Sequence, residues 1–525
     1  MKEIDVDCDV LIVGFGPVGQ LLSILLADKG WRVVVVERRT EPHAIARAVS
    51  FDGEAARIFA AAGLADELPE LGELSREIEF HNGRGDVLYR SEPAAEGYFG
   101  WPDSTSFYQP DLEAALIART EQFPNLSVLL GTEAVGVEET GEHVDVRLQD
   151  GSRISARWVV GCDGARSFVR EQMDVSEQQA GFSFDWLVCD VVPHEITEYR
   201  PNNLQICDPK RPRTHASAGR GHRRWEFMLL PGESPSEMNT PDYAWKLLAM
   251  ADVTPENATL ERHSVYKFRS AFADRWRAGR LLLAGDAAHV MPPFSGQGMC
   301  SGVRDARNLS WRLDLVLRGL TSDALLDSYG VERIDHLQNS IELAIKLGRV
   351  ICLTNEKLAA ARDAAMLAGR ARGDVPPRPE DIYWPIRKGV FGHADQVTGR
   401  LVPQARVASA DREGLFDQVV GTGFVLMTLG DPAQCVSPES QEILDSLDAL
   451  VVGILPPGTP RDTLRPGTVV DVDGTCSAYL SGAHGEAVLM RPDFYAFGAD
   501  EINDLIRQLA TELNLVLRED VLKVG

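Results

Sequence analysis

The chain has 525 residues, with 53 Lys+Arg against 78 Asp+Glu, a formal charge of −25. That length exceeds what one hydrophobic core usually organises, so two or three domains are expected. The acidic balance repels phosphate backbones and anionic headgroups, which argues against nucleic acid and membrane surfaces as partners.

The amino terminus, Met1-Lys2-Glu3-Ile4-Asp5, is acidic and lacks the basic and apolar regions of a signal peptide. The longest apolar stretch, 10–27, is broken by Gly14, Gly16, Pro17, Gly19 and Gln20, so a membrane span is not expected. The 8 cysteines are scattered, with no CxxC pair and no Cys/His cluster. Free thiols in a reducing cytoplasm are the expectation, and no metal site is visible.

Val10-Leu11-Ile12-Val13 is apolar without alternation, as in a strand buried on both faces. It leads into Gly14-Phe15-Gly16-Pro17-Val18-Gly19, a helical stretch, and a second strand, Val33-Val34-Val35-Val36, that ends at Glu37 and Arg38. This is a full strand, glycine turn, helix, strand and acid unit, expected to bind a dinucleotide. Gly14 permits the tight turn, Gly16 lets backbone approach a pyrophosphate, and Gly19 lets helix and strand pack closely. The helix N-terminus, opened by Pro17 and Val18, favours the phosphate charge, and Glu37 is placed to accept from a ribose.

Two later segments have related character. Trp158 to Arg170 reads as a strand, an Asp163-Gly164 turn and a basic helix start containing Arg166. Gly279 to Met299 reads as a buried strand ending at Gly285-Asp286, followed by a turn through Pro293, Ser295, Gly296 and Gly298 into a helix. With the glycine turn, these segments resemble the class A flavoprotein aromatic hydroxylases in order and spacing. The resemblance implies FAD as cofactor, with Asp286 on its ribityl chain and Pro293, Gly296, Gly298 and Met299 beside the flavin ring. Asp163, Gly164 and Arg166 would serve FAD and the nicotinamide cofactor, NADH or NADPH. Arg47 resembles the arginine on the FAD pyrophosphate, and Gln109 the glutamine near the FAD sugar. The family's reaction adds O2 at the flavin C4a carbon and passes the terminal OH to the ring.

Between these segments, residues 182–268 change to short alternating strands, as in an antiparallel sheet with one buried face. In the family this sheet roofs the substrate pocket. Phe99-Gly100-Trp101-Pro102 and Arg223-Arg224-Trp225-Glu226-Phe227-Met228 resemble the 3-(3-hydroxyphenyl)propionate hydroxylases, favouring a small phenol of that kind. Arg223 or Arg224 is expected to meet a substrate carboxylate; on one strand only one of them can face the pocket. Asp52 has two readings: a base that deprotonates the phenol, by resemblance to phenol hydroxylases, or the cap of the helix starting at Gly53.

The expected fold is α/β. A Rossmann-like FAD-binding domain covers 1–181 and 269–390, with helices over 320–367 and a proline-rich linker over 370–388. It is interrupted by the sheet domain at 182–268. The tail, 391–525, resembles a thioredoxin-like domain without CxxC, suited to packing or to supporting a homodimer. Alternative readings are tailoring of a polyketide-like aromatic by hydroxylation, epoxidation or Baeyer–Villiger oxygenation, and a non-catalytic flavin-binding sensor.

Overall fold

The computed structural model describes residues 6–41, 47–195, 198–374, 383–432 and 435–516. The first five residues and the linker prolines Pro376, Pro377 and Pro379 lie outside the described residues.

The strand Cys8–Val13 is wholly buried and pairs in parallel with Val33–Glu37 on one side and Arg153–Gly161 on the other. Leu126–Leu130 and Leu281–Leu283 extend the parallel sheet outward. Cover on both faces explains the continuous apolar runs. The helix Pro17–Ala27 lies between this sheet and the long helix Gln297–Leu317, packing against both.

A second sheet crosses the first. Its spine is a long antiparallel pair, Glu177–Pro193 with Ala258–Ala273. Arg223–Met228, Arg213–Ser217 and Asn203–Cys207 add to one side. The sheet does not stop at the expected boundaries. Asn203–Cys207 pairs in parallel with Ile78–Asn82, which pairs with Val87–Ser91, and His289–Val290 joins the opposite edge. Segments expected in the FAD-binding halves thus pair with both edges of the substrate sheet, which would otherwise offer unpaired amides.

The expected helical region forms two helices, Leu325–Ile351 and Glu356–Arg372. The tail builds a third sheet. Val425–Leu429, Leu450–Leu455 and Thr468–Asp471 run parallel, and Ala487–Met490 and Ala496–Asp500 run antiparallel beside them.

Charges buried between the tail and the helices join them. Arg491 Nη2 lies 2.7 Å from Glu332 Oε2 and 2.6 Å from Asp493 Oδ2, while Arg312 Nη2 lies 2.6 Å from Glu332 Oε1. Asn308 Nδ2 donates to Asp493 Oδ2 at 2.7 Å and to Glu332 Oε2 at 3.1 Å. Burial alone would raise both carboxyl pKa values. For Glu332, Arg312 and Arg491 outweigh that; for Asp493, Arg491 does, and both lie below the ordinary range.

Replacing Arg491 with Met leaves buried negative charge undercompensated, and stability should fall by about 3–5 kcal/mol in a denaturant titration. Folded values that are depressed give stabilisation that is present above the unfolded values of about 4.3 and 3.9, and that fades as pH falls through the folded ones. Acid should therefore destabilise the wild type more steeply in this window than Arg491→Met.

Candidate active site

The glycine turn is shaped by backbone contacts. Gly14 has φ +105°, and a Cβ there would lie 2.4 Å from the Cys162 carbonyl oxygen; one on Gly19 would lie 2.1 Å from the Gly14 oxygen. A Cβ on Gly16 would meet nothing within 4 Å, so its side is left open. The helix Pro17–Ala27 has no side-chain cap, which leaves its first-turn amides for a ligand.

This turn borders a cavity of about 190 Å³ lined by Gly14, Gly16, Pro17, Glu37, Arg38, Arg47, Gln109, Asp163, Gly164 and Arg166, among others. Glu37 accepts from the amides of Phe15 at 2.9 Å and Arg39 at 3.0 Å, so the expected ribose acid also closes its own turn. Asp163 Oδ2 accepts from Val169 N at 3.1 Å, and its Oδ1 is buried without a partner among the described residues. Burial raises the Asp163 pKa. Gln109 is held at both ends of its amide: Oε1 accepts from Arg47 N at 2.7 Å and Ala48 N at 2.8 Å, and Nε2 donates to Glu113 at 2.7 Å. Gln109 thereby sets the backbone that carries Arg47.

A larger cavity of about 380 Å³ shares Gly16, Pro17, Arg47, Gln109 and Gly164 with the first, so the two form one cleft. Val18, Gly285, Asp286, Pro293, Gly296, Gly298 and Met299 line it. Gly285, at φ +62°, bends the chain as the strand Leu281–Leu283 ends, and Asp286 Oδ2 lies 3.5 Å from Arg47 Nη1. Both side chains are about half exposed, so this pair is weak and free to rearrange. Gly296, at φ +66°, opens the helix Gln297–Leu317, again without a side-chain cap.

Two neighbours on that helix hold the segment in place. Asp305 Oδ2 accepts from Gly285 N at 3.1 Å and meets His289 Nε2 at 2.7 Å, while Arg333 Nε lies 2.8 Å from Asp305 Oδ1. Arg304 Nη1 donates to Gln297 Oε1 at 2.9 Å at the other end.

The crossing sheet supplies the opposite wall as two rows of side chains on one face. One row runs Ile78, Asn203, Ala216 and Arg224; the next runs Phe80, Gln205, Thr214 and Glu226. All eight line the large cavity. Alternation decides between the two arginines: Arg224 faces the cavity, while Arg223 stacks its guanidinium 4.2 Å over the Tyr199 ring beside a separate groove. Neither matches the expected carboxylate clamp. Arg224 pairs with Asp190 at 2.7 and 3.1 Å and donates to the Arg47 carbonyl at 2.7 Å, and Arg262 also holds Asp190. Arg224 is part of the wall and supports the loop that carries Arg47.

Glu226 escaped the sequence reading, which took its motif for the arginines. It is buried, lines the cavity and makes no hydrogen bond to a described residue. Burial, reinforced by Asp190 and opposed by Arg224 and Arg262, raises its pKa to about 7. The signal was present: a charged residue two positions from Arg224 must share its face.

Asp52 takes the capping geometry. Oδ1 accepts from Ala55 N at 2.9 Å, and Oδ2 meets Arg304 Nη2 at 2.5 Å and Gln297 Nε2 at 3.0 Å. It is absent from the residues lining the cavity. Burial would raise its pKa, but Arg304, Ala55 N–H and Gln297 outweigh it and hold the carboxyl below the ordinary range. Such a carboxylate is a poor proton acceptor near neutral pH. Asp52→Ala should lower stability by about 3–5 kcal/mol, as expected for a broken buried pair. The pH profile of turnover should keep its wild-type midpoint, measured alongside thermal unfolding.

Residues 7–344 match the family described as FAD binding domain, and residues 399–513 match the HcaD C-terminal domain. That second match covers the tail and does not bear on the expected thioredoxin likeness. The chain is 35% identical to a "Probable NADH-specific resorcinol 4-hydroxylase" of Rhodococcus jostii (strain RHA1), covering 96% of this chain and 94% of that protein. It is 36% identical to a "3-(3-hydroxy-phenyl)propionate/3-hydroxycinnamic acid hydroxylase" of Mycobacterium sp. (strain JLS), covering 98% and 92%. Aklavinone-11 hydroxylase, solved with FAD and aklavinone, superposes with a TM-score of 0.78 at 23% identity over 98% of this chain and all (100%) of that one. The flavin-dependent monooxygenase PieE gives a TM-score of 0.81 at 21% identity, covering 98% and 100%. The chain belongs to the FAD binding domain family, the class A flavoprotein hydroxylases.

Proposed function

We propose that the protein hydroxylates a phenol ortho to its hydroxyl, with FAD as resident cofactor and NADH or NADPH and O2 as co-substrates. The net change is ArOH + NAD(P)H + H⁺ + O2 → Ar(OH)2 + NAD(P)⁺ + H2O. The observation that carries this reading is the single cleft between two sheets. One wall offers two uncapped helix N-termini, and the other a row of polar side chains.

The residues fit FAD. The open side of Gly16 and the bare amides after it suit a pyrophosphate, with Arg47 near enough to neutralise it and Glu37 placed for the adenosine ribose. Asp163, Gly164, Arg38 and Arg166 line the same end. Asp286, loosely paired, is placed to take a ribityl hydroxyl. The turn through Pro293, Gly296, Gly298 and Met299 presents backbone amides to an electron-rich ring edge. When bound, FAD supplies the electron transfer and oxygen activation.

The chain's own side chains orient the phenol and keep water out. Phe80, Met291, Phe294 and Met299 give the cavity apolar surface, and Gln205 and Thr214 give it polar anchors. Both relatives' names specify phenols substituted at the 3-position, and a 3-substituted phenol is the favoured substrate class. With Arg224 paired to Asp190, a substrate carboxylate is not the feature that the wall is built around.

Purified protein should show a bound flavin spectrum. Resorcinol or 3-(3-hydroxyphenyl)propionate should stimulate NAD(P)H oxidation and yield a product one oxygen heavier by mass, a triol from the first and a diol from the second, after subtraction of peroxide. An ester or lactone product would favour oxygen insertion, and bound flavin without a product would favour a sensor. Gly16→Val isolates the cradle. A Cβ there would meet no described atom within 4 Å, so thermal unfolding of the flavin-free form should change little. FAD affinity should fall by about tenfold or more, roughly 1.4 kcal/mol; unchanged affinity would remove the turn from the binding site.

A further inference from the structure

We infer that Glu226, a buried cavity-lining carboxylate without a hydrogen-bond partner among the described residues, is the residue that accepts the phenolic proton of the substrate. The inference rests on the hydroxylase reading above and names the base that reading lacks. Asp52, the candidate base read from the sequence, has both oxygens committed to Ala55, Arg304 and Gln297.

The geometry singles out Glu226. It ends the row Phe80, Gln205, Thr214, Glu226, directly opposite Thr214 in register. Thr214 Oγ1 donates to Gln205 Oε1 at 2.7 Å and Gln205 Nε2 donates to Asn203 Oδ1 at 3.2 Å, so these bonds of the two neutral members of the row do not go to the carboxylate.

The ionisable groups that bear on Glu226 come from three strands. Arg224 lies on its own strand, Asp190 on Glu177–Pro193 and Arg262 on Ala258–Ala273. Arg47 and Asp286 line the same cavity. Asp190 holds both of these arginines, at 2.7 Å from Arg224 and 2.5 Å from Arg262, and their pull on Glu226 opposes its burial without cancelling it. A carboxyl that titrates near about pH 7 is matched to its task, since a base works best when its pKa is close to the working pH.

The proton balance is closed. The phenol O–H bond breaks, its proton moves to a Glu226 oxygen, and the electron pair stays on the phenolate, which activates the ortho carbon. After oxygen transfer, that ring carbon loses its hydrogen as a proton to solvent. Glu226 returns its proton to the original oxygen, so the carboxylate is regenerated.

The test uses the FAD-loaded enzyme with resorcinol as probe. Wild-type hydroxylation should rise with pH through an apparent pKa near 7. Glu226→Gln should keep its flavin spectrum and melting behaviour, lose about 100-fold or more in hydroxylation and divert NAD(P)H oxidation to peroxide. It should also lose the pH-dependent rise. Glu226→Asp should recover part of the rate, and a ring-fluorinated resorcinol, whose hydroxyl ionises more readily, should recover part of it in Glu226→Gln. Wild-type product yield and pH profile in Glu226→Gln would overturn the assignment. If that variant does not fold, the wild-type profile decides: a flat rate between about pH 6 and pH 8 overturns it. Loss of the hydroxylase reading looks different, because the flavin-loaded wild type would then give no hydroxylated product from any phenol.

Discussion

The cleft depends on how two adjacent residues of one helix, Arg304 and Asp305, tie down the segment from Gly285 to Gln297. Asp305 holds the entry, through the Gly285 amide and His289. Arg304 holds the exit, through Gln297. Both are buried ions, and each is tolerable only because its partners are buried with it: Arg333 for Asp305, and Asp52 with Glu54 for Arg304. The helix can therefore present bare amides at its N-terminus. The side chain that would cap them is missing, but the turn that precedes them is fixed from two sides.

The same logic extends to the tail. Glu54, one partner of Arg304, also receives the Tyr495 hydroxyl at 3.4 Å, and Arg57, on the same short helix, pairs with Asp417 at 2.6 Å. Arg57 also donates to the Val402 carbonyl at 2.6 Å. The helix that begins at Asp52 is thus held from the tail on one side and from the flavin-facing turn on the other. The tail lies far from the lining of the cleft in sequence and contributes none of its lining residues, yet it packs against what positions them.

The sequence disclosed most of the first wall and little of the second. Parallel strands covered on both faces leave unbroken apolar runs, and glycines at fixed offsets mark close backbone approach, so Gly14 to Glu37 and Gly285 to Met299 could be read directly. The crossing sheet is held by pairing between distant segments. Nothing local in Ile78–Asn82 announces that it pairs with Asn203–Cys207. Arg224 and Glu226 stand two apart on a strand, which gave their common face but not which face looked inward. Asp52 was ambiguous for a related reason. A cap and a base can be the same residue type in the same place, and only the distant partners Gln297 and Arg304 separate them.

Those partners explain how two carboxylates near one cleft acquire opposite characters. Burial penalises the charge of Asp52 and of Glu226 alike. Asp52 receives a backbone amide, a side-chain amide and a guanidinium, all of which stabilise the ionised form, so its proton is lost well before neutrality. Glu226 receives no hydrogen bond from a described residue, and the arginines that favour its charge, Arg224 and Arg262, are bound to Asp190, whose own charge works against ionisation. Environment, not residue type, divides the roles. The carboxylate with satisfied lone pairs holds structure, and the one whose lone pairs face the cavity is available for a proton.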